Sequence, residues 1–167
     1  MTSFTRMLRR GLPVAALALL MGCGIFHRPT ELECMERAMY FESNRSSRDG
    51  MIAVGSVVMN RVESGNYPRS VCGVVAQKKQ FAPGVMSRRM DSRSAPRIRE
   101  AAVSVLRGER HPLIGNAQFF HTAGYRAGYN NMHYVLVTGG NAFYERRKRE
   151  RVTQPTPPAP IEGITGW

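Results

Sequence analysis

Apolar and polar positions follow one another along this chain in blocks whose period changes past the middle. Leu32, Met35, Ala38 and Met39 recur at helical spacing behind Thr30-Glu31-Leu32-Glu33, the pattern of a capping box. A first helix is therefore expected, ending near Glu42. A polar stretch, Ser43 to Asp49, separates it from a run in which Ile52, Ala53, Val54, Val57, Val58 and Met59 leave almost no polar face. Such a helix belongs in the centre of a core. Ser46 or Ser47 can cap it, Asp49 falls in its favourable first turn, and Ser64-Gly65-Asn66 stops it. A short helix is expected over 70–76. Ser94-Ala95-Pro96 opens an amphipathic helix with Ile98, Ala101, Ala102, Val105 and Leu106 on one face, ended by Gly108. Past His111-Pro112 the period shortens. Gln118 to His121 and Tyr134 to Thr138 read as short strands, and Gly139-Gly140-Asn141 as a turn into Ala142-Phe143-Tyr144. The expected fold class is mainly α (α+β), a helical core with a small late β-hairpin element.

Two segments fall outside these patterns. Arg6, Arg9 and Arg10 precede a short apolar stretch, Leu12 to Met21. About ten apolar residues are too few to cross a bilayer, where roughly 20 are needed, so residues 1–22 read as a cleaved leader. Leu20-Met21-Gly22-Cys23 resembles a bacterial lipobox. That implies a lipoprotein signal peptide, a lipidated Cys23 opening a short linker over 23–29, and a place on the periplasmic face of the outer membrane. An ordinary or uncleaved signal peptide is the other reading. At the far end, Gln154-Pro155-Thr156-Pro157-Pro158-Ala159-Pro160 marks residues 152–167 as a proline-rich, disordered tail with no means of packing. One compact domain over 30–151 remains.

Charge narrows the choice of partner. The net charge is +12, nearly all of it arginine, with lysine only at 78, 79 and 148. An excess of this kind calls for an anionic partner: nucleic acid, an acidic lipid surface or an anionic wall polymer. Export argues against nucleic acid. The run from Glu145 to Arg151 reads as a solvated helix or tail. With Cys23 acylated, Cys34 and Cys72 remain, and outside the cytoplasm an isolated pair tends to oxidise. A bridge between them closes a loop of about 40 residues and contributes roughly 3–4 kcal/mol in the entropic account. His111, His121 and His133 lack partners at metal-ligand spacing, so no metal or other cofactor is expected.

Acid–base chemistry has one clear candidate. Glu42 ends the first apolar helix where it meets the second, and poor solvation there raises a carboxyl pKa. A carboxyl that keeps its proton near neutrality can serve as the general acid in glycosidic bond cleavage. Structural carboxylates also sit at helix ends, so a structural role stays open. A Cys72–His121 peptidase or amidase is a more distant alternative, because Val71-Cys72-Gly73-Val74-Val75 offers the thiol no activating charge.

The surrounding residues resemble a known family. Ala38-Met39-Tyr40-Phe41-Glu42, Gly50-Met51-Ile52-Ala53-Val54 and Val58-Met59-Asn60-Arg61 are similar to the opening of the SleB/CwlJ-type cell wall hydrolase domain. Tyr67-Pro68, Val71 to Val75, Gln80-Phe81, Asn116 to Thr122 and Gly139 to Tyr144 continue the likeness, in order, across residues 32–147. The resemblance implies a lysozyme-like, mainly helical fold acting on the glycan strands of peptidoglycan. It further implies a lytic transglycosylase that cleaves after N-acetylmuramic acid and leaves a 1,6-anhydro product, with Glu42 as acid and then base. Substrate contacts are expected at Gln80, Phe81, Phe119, His121 and Thr122, with Tyr144 in the closing block. His121 is expected to line the cleft by hydrogen bonding and not to act as a base. Tyr125 and Tyr129 flank a glycine-rich loop, where an apolar ring carrying a hydroxyl suits a sugar. The chain departs from the family pattern at Ser46, where a second glutamate is usual, and at Met51, Ala127 to Tyr129 and Ala142. The same fold used as a peptidoglycan-binding module is the alternative these departures leave.

Overall fold

A computed structural model describes residues 28–43, 45, 47–91 and 93–166. The leader, Cys23 and Ser46 lie outside them. Thr30 opens α1 (Glu31–Glu42) as a complete capping box: its hydroxyl accepts the Glu33 N–H at 3.2 Å, and the Glu33 carboxylate accepts the Thr30 N–H at 2.6 Å. Of the two serines able to cap the next helix, Ser47 does so, accepting the Gly50 N–H at 3.0 Å at the start of α2 (Arg48–Glu63). Ser70 caps the short α3 (Val71–Val75), and Pro96 sits in the first turn of α4 (Ala95–Leu106).

The all-round apolar character of α2 is explained by its neighbours. It packs against α1, α3 and α4 at once, and its buried Met51, Ile52, Val54, Val57 and Val58 form the middle of the main core. In α4 the inward stripe is Ile98, Ala101, Ala102 and Val105, whereas Leu106 is 36% exposed. At about 100° per residue Leu106 falls on the edge of that stripe, which corrects its expected place in it. Cys34 of α1 and Cys72 at the start of α3 form a disulfide, their Cα atoms 5.1 Å apart.

The late β-element is larger than a hairpin. β1 (Phe119–Thr122), β2 (Met132–Thr138) and β3 (Asn141–Arg146) make an antiparallel sheet in the order β1-β3-β2. β3 absorbs the first residues of the charged run, and Arg149–Arg151 form a single 3-10 turn. Gly139 and Gly140, with φ of 57° and 80°, form the tight turn between β2 and β3. That turn lies directly against α2: a Cβ added to Gly50 would stand 2.6 Å from the Gly139 Cα. Glycine at both positions lets the hairpin touch the start of the helix.

The proline-rich end is not an unpacked tail. β2 is an edge strand, and the chain from Gln154 to Thr165 runs along it. The Tyr134 N–H donates to the Gln154 carbonyl and the Ile161 N–H to the Val137 carbonyl, both at 2.9 Å. Glu162 accepts the Gly139 N–H at 2.6 Å and also bonds the Ser47 hydroxyl. Asp49 in the first turn of α2 accepts the Ile164 and Thr165 N–H groups at 2.8 and 2.7 Å. Prolines donate no hydrogen bond, but the residues on either side of the run bond to the bare sheet edge.

Candidate active site

Ser43 ends α1, its N–H and hydroxyl both donating to the Met39 carbonyl, and so turns the chain just past Glu42. The Glu42 backbone carbonyl accepts from Asn141 Nδ2 at 2.5 Å, which ties the helix end to the hairpin. The Glu42 carboxylate accepts the Ala82 N–H. Partial burial is the largest influence on this group and pushes its pKa above the ordinary carboxylate value. The Ala82 N–H and the positive charge of Arg61 pull against that shift without cancelling it.

Arg61 is 3% exposed. Its guanidinium lies 5.3 Å from the ring centres of Tyr67 and Phe81 and 6.0 Å from that of Phe119, and Nε donates to the Gln118 carbonyl at 2.7 Å. Its Nη1 has no hydrogen-bond partner among the described residues. A buried cation held by aromatic faces thus stands behind the carboxyl. The sequence carried a signal for it, an arginine in the last turn of the largely apolar second helix, which the sequence pattern marks only as part of the Val58 to Arg61 block.

Glu42 opens into a cleft of about 400 Å³ lined by Lys79, Gln80, Phe81, Phe120, His121, Thr122, Tyr125 and Asn141. Of the residues expected to contact substrate, Gln80, Phe81, His121, Thr122 and Tyr125 come together in this lining. Lys79, Phe120 and Asn141 are additions. Lys79 holds a left-handed backbone (φ 62°), a conformation that costs a residue with a side chain roughly 1–2 kcal/mol. Phe120 reaches Phe143 and Phe81, with ring centres 5.5 and 6.5 Å away. Strand alternation separates it from Phe119 and could have pointed to it.

Three expected residues are not in the cleft. Phe119 and Tyr144 stack on each other, with centres 5.4 Å apart, in a second small core behind His121. Tyr129 is 72% exposed on its loop, away from the lining. Alternation along β1 turns Phe119 from the face that Phe120 occupies, and pairing with β3 sets Tyr144 opposite Phe119.

The ring of His121 is fully engaged. Nδ1 lies 2.9 Å from the Thr122 carbonyl, which can only accept, so Nδ1 carries the proton. Nε2, 2.8 Å from the Tyr134 hydroxyl, then accepts from that phenol, whose own pKa is raised by burial and by Tyr144. A histidine held at both nitrogens is fixed in orientation at the wall of the cleft. Cys72 is bonded to Cys34, which removes the thiolate that a Cys72–His121 peptidase requires. Among the described residues no group of three or more His, Cys, Asp or Glu converges to hold a metal.

A family model described as Cell Wall Hydrolase matches residues 45–144. The chain is 35% identical over 51 residues to spore cortex-lytic enzymes of Bacillus cereus. That stretch is 30% of this chain and 20% of each relative, so the match spans a fifth of their length. Its structure is similar to the catalytic domain of the germination-specific lytic transglycosylase SleB from Bacillus anthracis, with a TM-score of 0.57 and 23% identity. The alignment covers 72% of this chain and 98% of that one. The catalytic domain of the Bacillus cereus SleB protein gives a TM-score of 0.56 at 24% identity, covering 69% and 89%. At these identities the likeness establishes a shared fold, mainly helical with a three-stranded sheet.

Proposed function

The chain belongs to the cell wall hydrolase family, and on that premise we propose that it is a peptidoglycan lytic transglycosylase with Glu42 as its acid and then its base. The observation that carries this reading is the cleft itself. Glu42 has a raised pKa and is the one carboxyl among the residues that line it. A hydrolytic glycosidase ordinarily places two carboxyls across the scissile bond. Intramolecular transfer needs one.

In the first half-reaction the Glu42 carboxyl gives its proton to the glycosidic oxygen as the bond from muramyl C1 to that oxygen breaks. The leaving N-acetylglucosamine keeps the oxygen as a 4-hydroxyl. The carboxylate then takes the proton of the muramyl C6 hydroxyl while O6 bonds to C1. The product is the 1,6-anhydro sugar, Glu42 is protonated again, and no water is consumed. His121 and Asn141 shape the wall around the carboxyl, and Gln80 and Thr122 offer polar contacts to the N-acetyl and hydroxyl groups of the strand.

The test is a digestion of purified wall with the products weighed. Anhydromuropeptides that vanish in Glu42→Gln are expected. Products bearing a free reducing end in place of the anhydro ring would sink the transfer step. Retained pelleting on the polymer with no soluble product would favour the binding module. We further propose that the mature protein is a lipoprotein held in the envelope through Cys23, which the leader supports. Incorporation of a fatty-acid label that Cys23→Ser abolishes is the expected result.

A further inference from the structure

The segment that the sequence marked as a tail does more than cover the edge of β2. Between its anchors at Gln154 and Ile161 it forms the outer wall of a second cavity of about 450 Å³. Pro155, Thr156 and Pro157 face Tyr125 and Arg126 of the loop after β1, with Tyr134 of β2 also in the lining. Tyr125 lines this cavity and the Glu42 cleft alike, so the two adjoin across one ring, 59% exposed. Their sizes are similar, and both lie within the roughly 300–1,000 Å³ that small-molecule sites span.

The wall is fixed before any ligand arrives. Proline at 155, 157, 158 and 160 restricts the backbone of the strap, and β2 and α2 hold its ends. A preformed wall spares the ordering cost that a free tail would incur on binding. Its chemistry is amphipathic: tyrosine and proline rings offer flat apolar faces, Thr156 a hydroxyl, and Arg126 a planar donor fork. A pyranose has the matching parts, an apolar C–H face and a polar rim. A muramyl residue adds a lactyl carbonyl or carboxylate for the guanidinium. The strap lies beyond residue 144, where the family match ends.

We propose that the strap and Tyr125–Arg126 form an additional glycan subsite, which takes the next amino-sugar residue of the strand beyond the Glu42 cleft. The proposal rests on the glycan-cleaving reading of that cleft. The subsite lengthens the stretch of strand that is gripped, so its occupancy shows as a dependence on chain length.

The experiment is calorimetric binding of peptide-free glycan oligosaccharides of increasing length to the Glu42→Gln protein, which holds strands without consuming them. Affinity is expected to rise once the oligosaccharide is long enough to pass Tyr125. Arg126→Ala and a Pro155→Gly/Pro157→Gly pair should each remove about tenfold of that gain. Unchanged melting temperatures would show that the strap's anchors survive. A loss equal at every length, or no loss, overturns the subsite, as does displacement of the long oligosaccharide by a free stem peptide. Wild-type digestion separates the two readings: anhydro products with a flat length series refute the subsite alone, and absence of both products and binding refutes both.

Discussion

Glu42 sits in a conflict between burial and charge, and its expected behaviour follows from the sign of the shift. Because its folded pKa is raised, its contribution to stability is fully present below the unfolded value, about 4.3, and is lost as pH rises through the folded value. Glu42→Gln removes that loss. The variant should melt above the wild type at neutral pH and level with it at pH 4, a comparison that calorimetry makes directly. The same shift sets the pH dependence of turnover. The acid step needs the protonated carboxyl, so kcat/KM should fall as pH rises through a value above the usual carboxylate range. Arg61 is a positioning residue in this account, since its charge lowers the Glu42 pKa. Arg61→Met should move that limb to higher pH. A limb that stays in place would show that burial and the Ala82 N–H set the carboxyl without Arg61.

At the level of elements, the site depends on how the β2–β3 turn meets α2. Both turn glycines have positive φ, but only Gly139 is also pressed against backbone: a Cβ there would stand 2.4 Å from the Gly50 Cα, whereas one at Gly140 would meet nothing within 4 Å. Gly140→Ala should therefore cost about 1–2 kcal/mol, the left-handed penalty alone. Gly139→Ala should cost clearly more, because α2 or the hairpin must shift as well, and urea midpoints will separate the two. Activity should fall further for Gly139→Ala, since Asn141, two residues on, holds the Glu42 carbonyl. Equal costs at the two positions would mean that the close approach is relieved elsewhere.

Across the whole molecule, the strap joins the far edge of the sheet to the first turn of the central helix, and Asp49 is its final anchor. Burial acts on Asp49 to raise its pKa. The Thr165 hydroxyl, the Ile164 and Thr165 N–H groups and nearby His111 together outweigh it and leave the value lowered. A lowered carboxyl gives stability that is present above its unfolded value, about 3.9, and is lost as pH falls through the folded value. Acidification into that range should release the end of the strap first. Hydrogen exchange at the Ile164 and Thr165 amides should accelerate there while the amides in the middle of α2 stay protected. Uniform acceleration across both would show that the strap and the core open together.

What the sequence determined by itself is local. The capping box at Thr30, the serine caps at Ser47 and Ser70, the apolar stripe of α4 and the Gly-Gly turn each need only neighbours within a few residues, and hydrophobic period and backbone sterics write them directly into the chain. Glu42 was legible for the same reason, as a carboxyl stranded between two apolar runs. The tertiary structure decided everything that depends on distant partners. The N–H of Ala82 reaches Glu42 from 40 residues further along the chain, and Arg61 comes to stand behind it through the packing of α2. The Tyr134 hydroxyl reaches His121 Nε2 across a loop and holds a ring orientation that no spacing encodes. Phe119 and Tyr144, plausible cleft residues by their motif, were turned inward by the register of β1 on β3. The strap shows the limit most clearly: a proline-rich segment has no pattern of its own, and it packs because an unpaired strand edge and the carboxylate of a helix more than a hundred residues earlier supply the hydrogen bonds it cannot make within itself.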